Sequence, residues 1–543
     1  VEVAVSAANV TVDRSQSPPA LHFPPGFNVA EAFVDRHLAE GRGGKLAIRS
    51  AAGDVTYAEL AAGVNRCGNA LLGLGLERGQ RLLLVVKDCA EFFYLFFGAI
   101  KAGIIPVPLN TILRAKDFAG LVEDSGAAAL VYSTEFAAEV EPAVAGARSL
   151  RVVLPVQDQA GPGDGPGDGR SLRGLLAQAS PELKAVPAGA TAACFWLYSS
   201  GSTGRPKGAV HRHRDLVVMS VYFGQDLLGL REDDVAFSAP KLFFTYGLSC
   251  GMAFPLWVGA TSVLLEPRPT ALNTLDTIQR FRPTAYFAVP TMYTLQLQEL
   301  EARGRDLSSI RLCHSAGEPL APDLFRRWKA LTGVPVLDGI GSTELLGPVI
   351  SNRPDDCRPG SCGKPVPGYQ ARIVTADGLE AAPGQTGNLQ VKGLSTAAYY
   401  WNNPEKTAQT FRGDWCVTGD VFSQDADGYY HYAGRNDDML KVGGIWCSPI
   451  EIEARLIDHP KVLEVAVVGQ ADAAGNVKPE AWVVLRDGVA ASDELASELA
   501  AHCKEHLAAY KFPRRFHFVQ ELPKTATGKI QRYRLREPST TPI

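Results

Sequence analysis

After Pro25 the apolar positions switch repeatedly between helical and extended spacing. Residues 56–74 carry them at helical intervals and 81–87 (RLLLVVK) as a near-continuous run of strand length. Residues 91–103 return to helix, and 104–109 supply the next strand. Short apolar runs at 235–237, 261–265, 285–288, 312–315 and 334–338 continue the rhythm. Near-continuous apolar strands alternating with helices predict a parallel sheet covered on both faces. Near Pro365 the pattern changes to short strands and turns (371–374, 387–392, 428–433), a β-rich subdomain. A second pattern follows Arg435, with helices at 451–457 and 493–505 and strands at 462–468 and 481–485.

The fold class is therefore α/β. A large N-terminal domain of packed α/β subdomains plus the β-rich subdomain spans 28–434, a polar hinge 435–438, and a small α+β C-terminal domain 439–543. Residues 1–27 read as a poorly ordered tail, and 161–169 (GPGDGPGDG) as a low-complexity loop.

Composition narrows the function classes. A length of 543 residues implies about three domains, and 46% hydrophobic with 21% charged residues excludes a chain disordered throughout. A net charge of −4 gives no global field for nucleic acid, and ten cysteines without close, regular spacing point to a reducing cytoplasm. The most apolar stretch, 92–105, is interrupted by Lys101 and stopped by Pro106, too short for a membrane span.

The most informative segment is Tyr198-Ser199-Ser200-Gly201-Ser202-Thr203-Gly204-Arg205-Pro206-Lys207-Gly208, entered directly from an apolar run. Glycine lets backbone N–H groups approach an anion, hydroxyls donate hydrogen bonds, and Lys and Arg add charge, which is what a polyphosphate loop needs. It is not a P-loop, because Lys207 follows Pro206 and precedes Gly208.

This loop closely resembles the phosphate signature of the adenylate-forming superfamily of acyl- and aryl-CoA ligases, luciferase and adenylation domains. Four further signatures follow in the family's order: Gly339-Ile340-Gly341-Ser342-Thr343-Glu344, Val417-Thr418-Gly419-Asp420, Gly434-Arg435-Asn436-Asp437-Asp438, and Pro523-Lys524-Thr525-Ala526-Thr527-Gly528-Lys529. The resemblance spans about residues 28–536. It implies ATP, Mg²⁺ and coenzyme A, with Thr343 at the α-phosphate, Glu344 as metal ligand and Asp420 on the ribose with Arg435 beside it. It also implies Ala316-Gly317-Glu318-Pro319 at the adenine and Asp338 among the ATP-binding residues; Ile340 stands where many relatives have Tyr. Lys529 would bridge the acid carboxylate and the α-phosphate, neutralising two anions as they join. Asp437 matches the hinge about which the small domain turns between half-reactions. The turn with Lys441, Gly443, Gly444 and Trp446 reads equally as an ordinary β-turn or, by resemblance, as part of the CoA tunnel.

Thr245-Tyr246-Gly247, with Gly339 and Ile340, resembles the acid-binding wall of benzoate-CoA ligases. Tyr246 is assigned to the pocket, and Phe243 and Phe244 to the core. Leu345-Leu346-Gly347 stands where benzoate ligases have Met-Leu-His. A Gly in place of imidazole implies room for a ring substituent and favours 2-aminobenzoate, with benzoate and hydroxybenzoate as alternatives. Two other readings stay open: an adenylation enzyme loading a carrier protein, and a non-enzymatic nucleotide binder, against which Lys529 and Glu344 argue. His211 and His213 lack a third metal ligand, and Cys357 and Cys362 form one pair where zinc needs four ligands.

Overall fold

The computed structural model describes residues 10–157, 171–199, 206–436, 438–442, 445–471, 477–507, 511–524 and 530–536. Residues 161–169 lie outside that set.

The expected helix begins where its cap dictates. Thr56 accepts from Glu59 N, while the Glu59 carboxylate takes the Thr56 N–H, a capping box that starts Tyr57–Gly73. Ala90–Lys101 crosses it where Gly68 and Gly98 meet; a Cβ on Gly98 would stand 2.7 Å from the Val64 carbonyl. Lys101, which breaks the apolar stretch, is buried and paired with Asp35 and Asn65 at 2.7 and 2.6 Å. Among the described residues no helix is long and apolar enough to cross a membrane.

Two sheets carry the large domain. One is fully parallel, in the order Ile105–Pro108, Arg81–Val85, Ala129–Tyr132, Val152–Pro155. The other has nine strands, parallel from Val336–Ser342 through Leu312–Ala316, Ala285–Ala288, Val235–Ser238 and Thr261–Val263 to Leu46–Ser50. Antiparallel strands close both ends; Gly347–Ser351 folds back on Val336–Ser342 and leaves a tight turn at 343–346. A three-stranded sheet orders Tyr399–Tyr400, Lys207–Arg212, Ala193–Ser199, so the arms of the phosphate loop are adjacent strands. The β-rich subdomain is a five-stranded antiparallel sheet. The C-terminal part has its own core of Ile452, Leu456, Val467, Val483 and Leu499 under Pro449–Ile457 and Asp493–His506.

The N-terminal segment differs from expectation. Thr11–Asp13 and Ala20–His22 pair as an antiparallel hairpin. It is tied down by Arg14 to Asp226 at 2.7 Å and by the Tyr222 hydroxyl donating to the Pro19 carbonyl at 2.9 Å. Long-range partners order a segment whose own composition offers little apolar surface. Arg435, assigned to the hinge, ends the strand Tyr430–Arg435, opposite Asp420.

Candidate active site

The turn after Val336–Ser342 is held carbonyl by carbonyl. Thr343 O accepts from His211 Nε2 at 2.8 Å, and Glu344 O from Ala397 N at 2.7 Å. Leu345 O accepts from Ser395 Oγ at 2.7 Å, and Leu346 O from Ser249 Oγ at 3.0 Å. Gly341 is required by the backbone approach, since a Cβ there would stand 1.9 Å from the Gly347 carbonyl oxygen. Three separate segments, carrying His211, Ser395 with Ala397, and Ser249, thus fix the direction in which Thr343 and Glu344 project.

The Glu344 carboxylate joins this turn to the phosphate loop. Its Oε1 accepts from the Tyr400 hydroxyl at 2.7 Å and from Ser199 Oγ at 3.1 Å. Ser199 and Lys207 are cross-strand partners, and Lys207 Nζ lies 4.9 Å from the Tyr400 ring centroid. Burial pushes the Glu344 carboxyl up, but the Tyr400 bond, its own backbone N–H and the Lys207 charge outweigh it, and the net shift is downward. The group is an ionised carboxylate. Ser200, Gly201, Ser202, Thr203 and Gly204, between these arms, lie outside the described residues.

Asp420 and Arg435 form a second pair. Arg435 Nη1 donates to Asp420 Oδ1 at 2.9 Å, while Thr418 Oγ1 accepts from Asp420 N at 3.1 Å. Gly419 adopts φ +78° at this corner. Among the residues expected at the nucleotide, Leu312–Ala316 and Val336–Ser342 pair Ala316 with Gly339 and Ser315 with Asp338. Asp338 is buried, its Oδ1 has no hydrogen-bond partner among the described residues, and burial drives its carboxyl well above the usual range. Gly317 (φ +92°) and Pro319 are exposed, and Glu318 accepts from Thr291 N and Oγ1 at 3.2 and 2.7 Å. Ile340 and Ser342 are part-exposed.

Thr245, Tyr246 and Gly247 lie on the short helix Thr245–Leu248. Gly247 admits no side chain, because a Cβ would sit 2.0 Å from the Lys241 carbonyl oxygen. Tyr246 is half-buried, and its hydroxyl meets His314 Nδ1 at 2.7 Å. Phe243 is buried and stacks obliquely on Phe244, ring centroids 4.3 Å apart.

Gly347 does not stand beside an open space. Its φ is +150°, and a Cβ there would lie 2.6 Å from Met219 Cε. The thioether fills the volume that the missing imidazole was expected to free, so the argument from Gly347 to a ring substituent loses its physical basis.

In the small domain, Lys441 and Trp446 are cross-strand partners in the hairpin of Leu440–Val442 and Ile445–Cys447. Gly443, Gly444, Lys529 and Asp437, the expected hinge residue, lie outside the described residues. Asp438, beside the hinge, pairs with Arg536, and Arg532 binds Glu453 at 2.8 Å.

The structure thus brings together Ser199, Lys207 and Glu344, pairs Asp420 with Arg435, and seats Ala316 beside Gly339. Sequence reasoning missed Tyr400, His211, His314, Ser395 and Met219. His211 stood out only as half of a failed metal pair. Its Nδ1 faces Asp215 at 3.1 Å, while His213 Nδ1 accepts from Val29 N at 3.2 Å, so the two rings serve different segments.

The AMP-binding enzyme family model matches residues 35–401, and the AMP-binding enzyme C-terminal domain model matches 451–529. The benzoate–CoA ligase of Thauera aromatica is 47% identical over 96% of this chain and 98% of its own. The 4-hydroxybenzoate–CoA/benzoate–CoA ligase of Rhodopseudomonas palustris is 44% identical over 94% of each. Among solved structures, an anthranilate CoA ligase in complex with anthranoyl-AMP superposes with TM-score 0.88 at 41% identity, covering 94% of this chain and 97% of that one. The chain belongs to the AMP-binding, adenylate-forming enzyme family. Within it the chain is benzoate–CoA ligase-like, an AMP-forming acid–thiol ligase.

Proposed function

We propose that this ligase activates benzoate or a close ring-substituted relative with ATP and transfers the aroyl group to coenzyme A. The observation that carries the first step is the Glu344 junction, a half-buried, ionised carboxylate bonded to Ser199 on one arm of the phosphate loop and to Tyr400 on the strand beside the other. An acid carboxylate oxygen attacks the α-phosphorus, the bond to the bridging oxygen breaks, and pyrophosphate leaves. The CoA thiol then attacks the acyl carbon, losing its proton, and AMP departs. Lys207 and the loop hold the phosphates, Thr343 contacts the α-phosphate, and Lys529 neutralises charge between the two reacting anions. Asp420 and Arg435 hold the ribose, and Asp338, paired across the strands with Ser315, belongs to the nucleotide site. Rotation about Asp437 exchanges Lys529 for the Lys441–Trp446 hairpin before thiol attack.

Glu344 also fits a magnesium ion, being a hard oxygen donor held ionised beside the Ser199 hydroxyl. Such an ion, when bound, neutralises phosphate charge.

Benzoate is the first choice of acid because Met219 occupies the space beside Gly347. The likeness to the anthranilate CoA ligase supports 2-aminobenzoate as a second reading. A carrier protein as acceptor has no support from the relatives, which are named as CoA ligases. Incubation with ATP, Mg²⁺, CoA and each of benzoate, 2-aminobenzoate and 4-hydroxybenzoate, with products weighed by mass spectrometry, tests the assignment. Benzoyl-CoA is expected in greatest yield at limiting acid; formation of none of the three thioesters would refute the reading.

A further inference from the structure

His314 sits on the central strand Leu312–Ala316, fully buried, and the chemistry above makes no use of it. Its Nδ1 lies 2.7 Å from the Tyr246 hydroxyl and its Nε2 3.3 Å from Ser351 Oγ. Ser351 in turn donates to the Asn352 carbonyl at 2.8 Å. Serine has one hydroxyl proton, so with that proton on the carbonyl it faces His314 as an acceptor. Nε2 is therefore the protonated nitrogen, and Nδ1 accepts from Tyr246. Burial keeps the ring neutral, its pKa pushed down to about 3, so it has only that one proton to place. The His314 carbonyl, 3.0 Å from the Tyr246 hydroxyl, is also served by the Tyr293 hydroxyl at 3.1 Å. The chain runs one way, Tyr246 to His314 to Ser351 to the Asn352 carbonyl.

This chain links Thr245–Leu248 and Gly347–Ser351, which carry residues assigned to the acid site, through the strand Leu312–Ala316. It passes directly behind Gly339, where a Cβ would stand 2.9 Å from His314 Nε2 and 3.1 Å from Ser351 Oγ. The Phe223 ring meets the imidazole edge-on, 5.1 Å between centroids, and Phe287 lies 6.4 Å away. Tyr246 is thus pinned by its far end, with its hydroxyl proton committed to buried partners while the residue itself stays half-buried.

We propose that His314 is a specificity-determining positioning residue: it locks Tyr246 through its hydroxyl and withholds that hydroxyl from the acid site, so that the slot prefers an unsubstituted aromatic carboxylate over amino- and hydroxybenzoates. The inference rests on the acid-site assignment given under the proposed function.

The test is kcat/KM for benzoate, 2-aminobenzoate and 4-hydroxybenzoate in wild type and four variants. His314→Phe keeps a ring but removes the acceptor; the benzoate preference over the better substituted acid should fall about tenfold, with KM for ATP unchanged. His314→Gln reaches the Nε2 position and leaves Nδ1 empty, so it should shift the ratio the same way should the apolar variant fail to fold. His314→Asn, whose amide replaces Nδ1, should recover part of the ratio. The double variant His314→Phe/Tyr246→Phe has no hydroxyl to release and should lose the gain. A parallel fall for all acids in both His314→Phe and His314→Gln, or a gain that persists without the Tyr246 hydroxyl, overturns the inference. Wild type that turns over none of the three acids would instead refute the acid-site assignment, and the inference with it.

Discussion

Tyr400 donates its hydroxyl to Glu344 Oε1 at 2.7 Å, and this bond links the strand beside the phosphate loop to the turn that presents the carboxylate. Removing it with Tyr400→Phe leaves a half-buried carboxylate short of a donor. A hydrogen bond to a charged group contributes about 1.5–3 kcal/mol, so acid-dependent ATP–pyrophosphate exchange should fall about ten- to hundredfold. The Glu344 carboxyl should also titrate higher, so the acid limb of the exchange rate moves to higher pH. An unchanged rate and unchanged acid limb would show that Tyr400 does not position Glu344.

Stability carries its own pH signature. Burial depresses His37 and His314 to about 3 and His213 to about 4, below the unfolded value near 6.5. Below that value the unfolded chain takes up protons that the folded chain refuses, so these groups cost stability as pH falls. Asp338 and Asp88, raised by burial, act in the opposite sense, so a difference measurement isolates one group. The stability gap between wild type and His213→Phe should narrow by about 2 kcal/mol from pH 7.5 to 5. A gap that stays constant would mean His213 is charged in the folded state or not buried.

Much of this was legible along the chain. The helix Tyr57–Gly73 starts at its capping box, and the strands Ala285–Ala288 and Leu312–Ala316 lie on the expected runs, because those signals are local. Ser199 and Glu344 were named from their motifs. What was not legible depends on contacts across long sequence separations. Tyr400 stands in the aromatic run Tyr399-Tyr400-Trp401, and only the pairing of Tyr399–Tyr400 with Lys207–Arg212 aims it at Glu344. Met219 carries no sequence mark of its proximity to Gly347, so a glycine was read as a void. The hairpin at 11–22 is ordered by Arg14 and Tyr222 partners that no local pattern announces.

Met219 and Gly347 make opposite predictions. Met219→Ala should open the space beside Gly347 and raise the 2-aminobenzoate to benzoate ratio of kcat/KM about tenfold, the scale of a hydrophobic pocket change. Gly347→Ala places a Cβ at φ +150° against Met219 Cε and should impair all acids in parallel. A ratio unmoved in Met219→Ala would place the ring elsewhere.

Lys529 is assigned to the first half-reaction alone. Lys529→Ala should lower adenylate formation roughly a hundred- to a thousandfold and leave thioester formation from pre-made aroyl-adenylate near wild type. Equal losses in both half-reactions would remove the charge-bridging role.

The most direct test of the whole account separates the two steps with one acid. With benzoate, ATP and Mg²⁺ but no CoA, the enzyme should exchange labelled pyrophosphate into ATP and accumulate bound benzoyl-adenylate. Addition of CoA should then discharge that adenylate to benzoyl-CoA and AMP in equal amounts. Thioester formation without any benzoate-dependent exchange, or release of ADP and phosphate in place of AMP and pyrophosphate, would contradict it.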